Sequence, residues 1–128
     1  MGWAMEPDST HSRRGEPSPA VVDVELRPPS APGFAAIVRL VGEHDMATSP
    51  SFREALQRIY GHVLVDLSEC DFIDSSVIGV LFGDYQARTK EGQRLELIAP
   101  REGTVARTLQ VSGVSRLITV RTAPHPGP

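Results

Sequence analysis

One cysteine, Cys70, stands among the 128 residues, so no internal disulfide can form. That composition suits a reducing compartment, and the expected location is the cytoplasm. No apolar run approaches the ~20 residues of a membrane span, and the N-terminus has no apolar stretch of the secretory type. A membrane partner is therefore not expected. Basic clusters are scarce: none is denser than Arg13-Arg14, and the net charge is −3, which argues against nucleic acid as a partner. A glycine-rich phosphate loop is missing, so the chain should not bind ATP itself, and no cofactor is expected. The sequence also has no G-x-S-x-G elbow and no internal repeat. At this length the chain has room for one domain with an ordinary core and not for two.

What remains is a chain whose hydrophobic pattern keeps changing period. Residues 1–19 are polar and proline-rich and read as a disordered arm; 20–122 read as the folded domain, and 123–128 as a disordered proline-rich tail. Val21 to Leu26 alternates apolar and polar, which predicts a half-buried strand. A proline-rich loop to Gly33 joins it to a second strand, Phe34 to Val41, making an edge hairpin. Ser49 is the expected N-cap of a helix with Pro50 in its first turn, running to about Tyr60 with Phe52, Leu56 and Ile59 on one face. Val63 to Leu67 is nearly all apolar, as in a central strand covered on both faces. The chain should then turn at Cys70 to Asp74 and enter a helix from Ser75 to about Lys90, with Ile78, Leu81, Phe82 and Tyr85 inward. A strand (Arg94 to Ala99), a short helix (Glu102 to Ser112) and a last strand (Leu117 to Val120) complete the order ββαβαβαβ. Strands alternating with helices call for parallel pairing through right-handed crossovers, hence an α/β fold: one mixed β-sheet with helices packed against it.

The segment Phe72-Ile73-Asp74-Ser75-Ser76-Val77-Ile78-Gly79, following Val65-Asp66-Leu67-Ser68, resembles the signature of the STAS domain family, and within it the bacterial anti-sigma factor antagonists. Gly42-Glu43-His44-Asp45 is similar to a second family element before the first helix, and the likeness covers about Val21 to Arg121. The resemblance implies a STAS-like sheet and a non-enzymatic phospho-switch. An anti-sigma factor that is also a serine kinase would be the partner, Ser75 the phosphorylated residue with Ser76 the alternative, and a phosphatase would reverse the modification. The contact surface it implies comprises Glu43, His44, Asp45, Asp71, Asp74, Ser75, Ser76, Val77 and Val80. Two departures stand out. Val77 occupies the place of a family glycine, adding a branched side chain where a partner would approach. A proline-rich tail replaces the family's last helix, leaving one sheet face thinner and open to a second chain, a homodimer being one option.

From the residues alone, Asp74 is a good N-cap, so Ser75 and Ser76 open the helix near free N–H groups. Asp66, Glu69, Asp71 and Asp74 lie just upstream, and no Lys or Arg falls between Gly61 and Gln86. A phosphate there, adding about −1.5 to −2 charges, should therefore act by repulsion and desolvation at a docking surface. Capping alone would also account for the two serines. Two rival functions are a STAS subunit of another assembly, stressosome-like or lipid-transporting, and a small hydrolase using His44, Asp45 and a serine. The spacing of Asp66, Asp71 and Asp74 matches no metal loop, so no metal is expected. Cys70 reads as a buried filler.

Overall fold

The structure, a computed structural model, describes residues 19–28, 30 and 32–124. The expectations for Arg13-Arg14, most of the N-terminal arm and the end of the tail lie outside those residues. The chain runs β1 (Val21–Leu26), β2 (Ala36–His44), α1 (Ser49–Gln57), β3 (Val63–Asp66), β4 (Cys70–Ile73), α2 (Ser75–Lys90), β5 (Leu95–Ala99), α3 (Thr104–Val111), α4 (Val114–Leu117) and β6 (Thr119–Thr122). The opening hairpin is present: β1 pairs antiparallel with β2, and the Arg27 N–H donates to the Ala35 carbonyl at 2.8 Å to close its loop. The other pairings are parallel, giving one six-stranded sheet in the order β1-β2-β3-β5-β6, with β4 on β2.

From β2 onward each new strand is added on the same side of the last, so right-handed crossovers place every connecting helix on one face. Side-chain burial agrees. Ala36, Val38, Leu40, Val63, Val65, Leu67, Leu95 and Leu97 point into a core completed by Phe52, Leu56, Val77, Leu81, Val105 and Leu109. The opposite face carries Arg39, bridged to Glu25 at 2.9 Å and Asp23 at 3.4 Å, and Arg121, bridged to Glu96 at 2.8 Å. The expectation for β3 holds in its burial: Leu64, its one apolar residue facing away from the helices, is 8% exposed, with Ile37 and Glu96 beside it on the flanking strands.

Three other expectations are corrected. The stretch from Cys70 to Ile73 is a strand, not a turn, because it continues along β2 where β3 leaves off: Gly42 lies opposite Cys70, Glu43 opposite Phe72 and His44 opposite Ile73. The register slips by one residue after Gly42, whose φ of 86° strains any residue with a Cβ. The first helix takes Thr48, not Ser49, at its N-cap and ends at Gln57, short of Tyr60. The last strand begins two residues later than expected because Val114–Leu117 form a helical turn.

Candidate functional site

The site lies at the C-terminal ends of β2 and β4, where helices α1 and α2 begin, as is usual for open parallel sheets. Asp74 is held in an extended conformation before α2, and its carboxylate accepts the N–H of Ser76 at 2.9 Å and of Val77 at 3.3 Å. It also accepts the Ser76 hydroxyl at 2.5 Å. That hydroxyl bond is the main reason the Asp74 carboxyl sits below its ordinary pKa; burial opposes it, and the N–H groups of Val77, Ser76 and Met46 add to the lowering. The Met46 contact ties the turn after β2 to the start of α2.

The two serines are thereby made unlike. Ser76 is half-buried and its proton is spent on Asp74. Ser75 is exposed, and its hydroxyl has no hydrogen-bond partner among the described residues. A transferable group can reach Ser75 without breaking a bond of the fold; at Ser76 it would first break the cap.

Pairing of β4 with the end of β2 brings the Gly42–Asp45 segment beside the Asp74–Ser76 segment. Glu43, Asp45 and Asp71 are exposed there. His44 is not: it is 1% exposed, its Nε2 donates to the Val41 carbonyl at 3.0 Å, and its Nδ1 lies 3.0 Å from the Thr48 hydroxyl. Both ring nitrogens thus hold the β2–α1 turn, and neither bonds a serine, which takes the base away from the hydrolase reading. Asp45 caps the same turn, its carboxylate accepting the Ala47 N–H at 2.9 Å.

Val77, 0% exposed, and Val80, 3% exposed, belong to the core and not to a contact surface. The inward face of α2 includes Ile78 and Leu81 as expected, with Phe82 and Tyr85 packed against the core, and widens to Val77, Val80 and Arg88 because both α1 and the sheet cover the helix. Val77 in the glycine position therefore faces inward and does not obstruct an approaching partner. Cys70 is buried; burial is the chief reason its thiol is pushed up to about 11, so it is not a nucleophile at neutral pH. Asp66 lies 3.8 Å from Arg39 on the far sheet face, away from Asp74. Among the described residues no three His, Cys, Asp or Glu side chains gather as metal ligands, and no helix is long and apolar enough to cross a membrane.

Sequence reasoning missed α3's contribution. A groove of about 330 Å³ between α2 and α3 is lined by Ser75, Ile78, Arg107, Thr108, Val111 and Ser112. The expectation of surroundings without arginine is thus corrected: Arg107 arrives from a distant part of the chain. Apolar side chains are also left in the open near the site, with Val111 81%, Met46 74% and Phe72 38% exposed. Such exposure close to a polar rim marks a surface for another protein.

The family model described as "Mlab, STAS domain" matches residues 29–119. An "Anti-sigma F factor antagonist" from Paenibacillus polymyxa is 34% identical over 89 residues, which are 66% of this chain and 75% of that protein. The fold is similar to that of the anti-sigma factor antagonist SpoIIAA in its unphosphorylated form, with a TM-score of 0.64 and 21% identity over 82% of this chain and 90% of that one. An anti-sigma factor antagonist from Mycobacterium paratuberculosis is equally similar, at a TM-score of 0.64 and 21% identity over 87% of this chain and 90% of that one. With its signature residues placed at the mouth of α2 on a one-sided parallel sheet, the chain belongs to the STAS domain family.

Proposed function

We propose that this chain is an anti-sigma factor antagonist that binds an anti-sigma factor with serine kinase activity, and that phosphorylation of Ser75 ends the binding. The observation that carries the reading is the inequality of the two serines: Ser75 is exposed and has no hydroxyl partner among the described residues, while Ser76 is committed to Asp74. The name of the Paenibacillus polymyxa relative supports the partner class. The docking surface comprises Glu43, Asp45, Asp71, Phe72, Ser75 and Met46, with His44, Val77 and Val80 acting beneath it as support. The protein works by binding and not by turnover, in the cytoplasm, and a separate phosphatase restores it. The test is binding of the kinase partner to the wild type and to Ser75→Asp. Loss of binding in the variant is expected; equal affinity would sink the reading.

A second reading is favoured by the family description, which names Mlab and not an antagonist. In it the chain is a fixed STAS subunit of a larger assembly. It would then co-purify with that assembly at all times and carry no phosphate on Ser75.

A further inference from the structure

We infer that Arg107 is an in-chain clamp for the phosphate on Ser75, so that the modified serine occupies its own docking groove. The inference rests on the reading of Ser75 as a phosphorylation site and adds where the phosphate goes. Transfer forms a bond from Ser75 Oγ to the γ-phosphorus of a nucleoside triphosphate and breaks that phosphorus's bond to the bridging oxygen. The nucleoside diphosphate leaves, and the hydroxyl proton passes to a base on the kinase.

The start of α2 cannot hold the resulting dianion by itself. Its N–H groups at Ser76 and Val77 already bond Asp74, a carboxylate that would repel the phosphate. Arg107 lines the same groove as Ser75, and among the described residues its guanidinium makes neither an ion pair nor a hydrogen bond. Arg39, Arg58, Arg88, Arg94 and Arg121 each have a carboxylate within reach, and of the arginines without one among the described residues only Arg107 lines the groove with Ser75. A guanidinium on an apolar wall beside an open hydroxyl is the arrangement that accepts a phosphate with two parallel N–H donors. Thr108 adds a hydroxyl without a described partner, whereas the Ser112 hydroxyl is already bonded to the Leu109 carbonyl at 3.2 Å. At about 330 Å³ the groove is roughly ten times the ~30 Å³ share of a water molecule, so it admits a phosphate with part of its hydration. The phosphate drawn against Arg107 covers the apolar wall made by Ile78 and Val111. The partner then loses the groove as well as meeting a charge.

The test needs no cognate kinase. Phosphoserine is installed at position 75 during translation, and the phosphorus resonance is titrated by NMR in the full chain, in Arg107→Gln and in Arg107→Lys. An opposite charge within about 4–6 Å lowers an acid's pKa. The second phosphate pKa, ordinarily about 6, is expected to lie at least about half a unit lower with Arg107 than with glutamine, and lysine should recover part of the difference. The Arg107 Nε resonance of the otherwise wild-type chain should also move on phosphorylation, a readout that needs no variant to fold. Identical titrations together with an unmoved Nε resonance overturn the clamp. If Arg107→Gln instead weakens partner binding of the unphosphorylated chain while the titration stays unchanged, the arginine serves an acidic group of the partner and the clamp is likewise overturned. Either result leaves open whether a kinase modifies Ser75, which binding and site mapping decide separately.

Discussion

Near its C-terminal end, α2 carries Arg88, which is buried and donates all five of its N–H groups. Two go to Asp84 at 2.8 and 2.9 Å, and the others to the carbonyls of Leu56, Ile59 and Gly61. Leu56 lies in the last turn of α1 and its carbonyl also accepts the Ile59 N–H at 3.1 Å, so the guanidinium ties the end of one helix and the loop after it to another helix. Nearly four turns earlier the same helix begins at Ser75, whose hydroxyl is bonded to nothing described, and which shares a groove with Arg107, whose side chain is equally without a described partner. The two ends use similar residue types for opposite purposes. An arginine whose donors are all engaged and buried is structure; one left idle beside an open hydroxyl is available for chemistry that comes and goes.

The contrast is most easily broken at the buried end. Arg88→Ala takes the guanidinium from Asp84 and from three carbonyls, of which Leu56 keeps a backbone partner, and removing one member of a buried pair costs about 3–5 kcal/mol. Urea denaturation should show that loss. In the folded fraction, the extent of phosphorylation at Ser75 should match the wild type, and a change there would mean the two ends are coupled. Next comes Val77→Gly, which restores the family residue. It removes a buried side chain worth about 1.5–3 kcal/mol and adds a helix penalty of about 0.5 kcal/mol relative to valine, so a destabilisation of roughly 2–3.5 kcal/mol is expected, without faster modification of Ser75. Were modification to accelerate strongly, the valine would be obstructing the site after all.

Smaller effects sharpen the picture at the open end. Asp74→Ala removes an N-cap and should cost about 0.5–2 kcal/mol near neutral pH. The folded carboxyl is lowered below its ordinary value near 3.9, so this stabilisation is full above that value and disappears as pH falls through the folded pKa. Thermal unfolding of wild type and variant should converge in acid below about pH 4. Smallest is the difference between the serines. Ser76→Ala loses one charge-assisted bond, worth about 1 kcal/mol at a half-buried position, while Ser75→Ala should stay within about 0.5 kcal/mol of wild type.

Much of this could be read from the residues. The strand and helix periods, the capping aspartate and the paired serines are local signals, and each carried its element to nearly the right place. What escaped was long-range. Cys70-Asp71-Phe72-Ile73 alternates too briefly to announce a strand, and it becomes one only because β2 runs on past β3. The burial of His44, Val77 and Val80 depends on which faces the neighbouring elements cover. Nothing in α3's stripe of Val105 and Leu109 says that its other side meets α2, so Arg107 could not be placed beside Ser75 before the fold was known.

Ser75, and not Ser76, is the residue proposed to take the phosphate. Incubation with candidate anti-sigma factor kinases and ATP, followed by intact mass and site mapping, tests this directly. One phosphate is expected, on Ser75, still present in Ser76→Ala and gone in Ser75→Ala. A phosphate mapped to Ser76, or retained in Ser75→Ala, would contradict it.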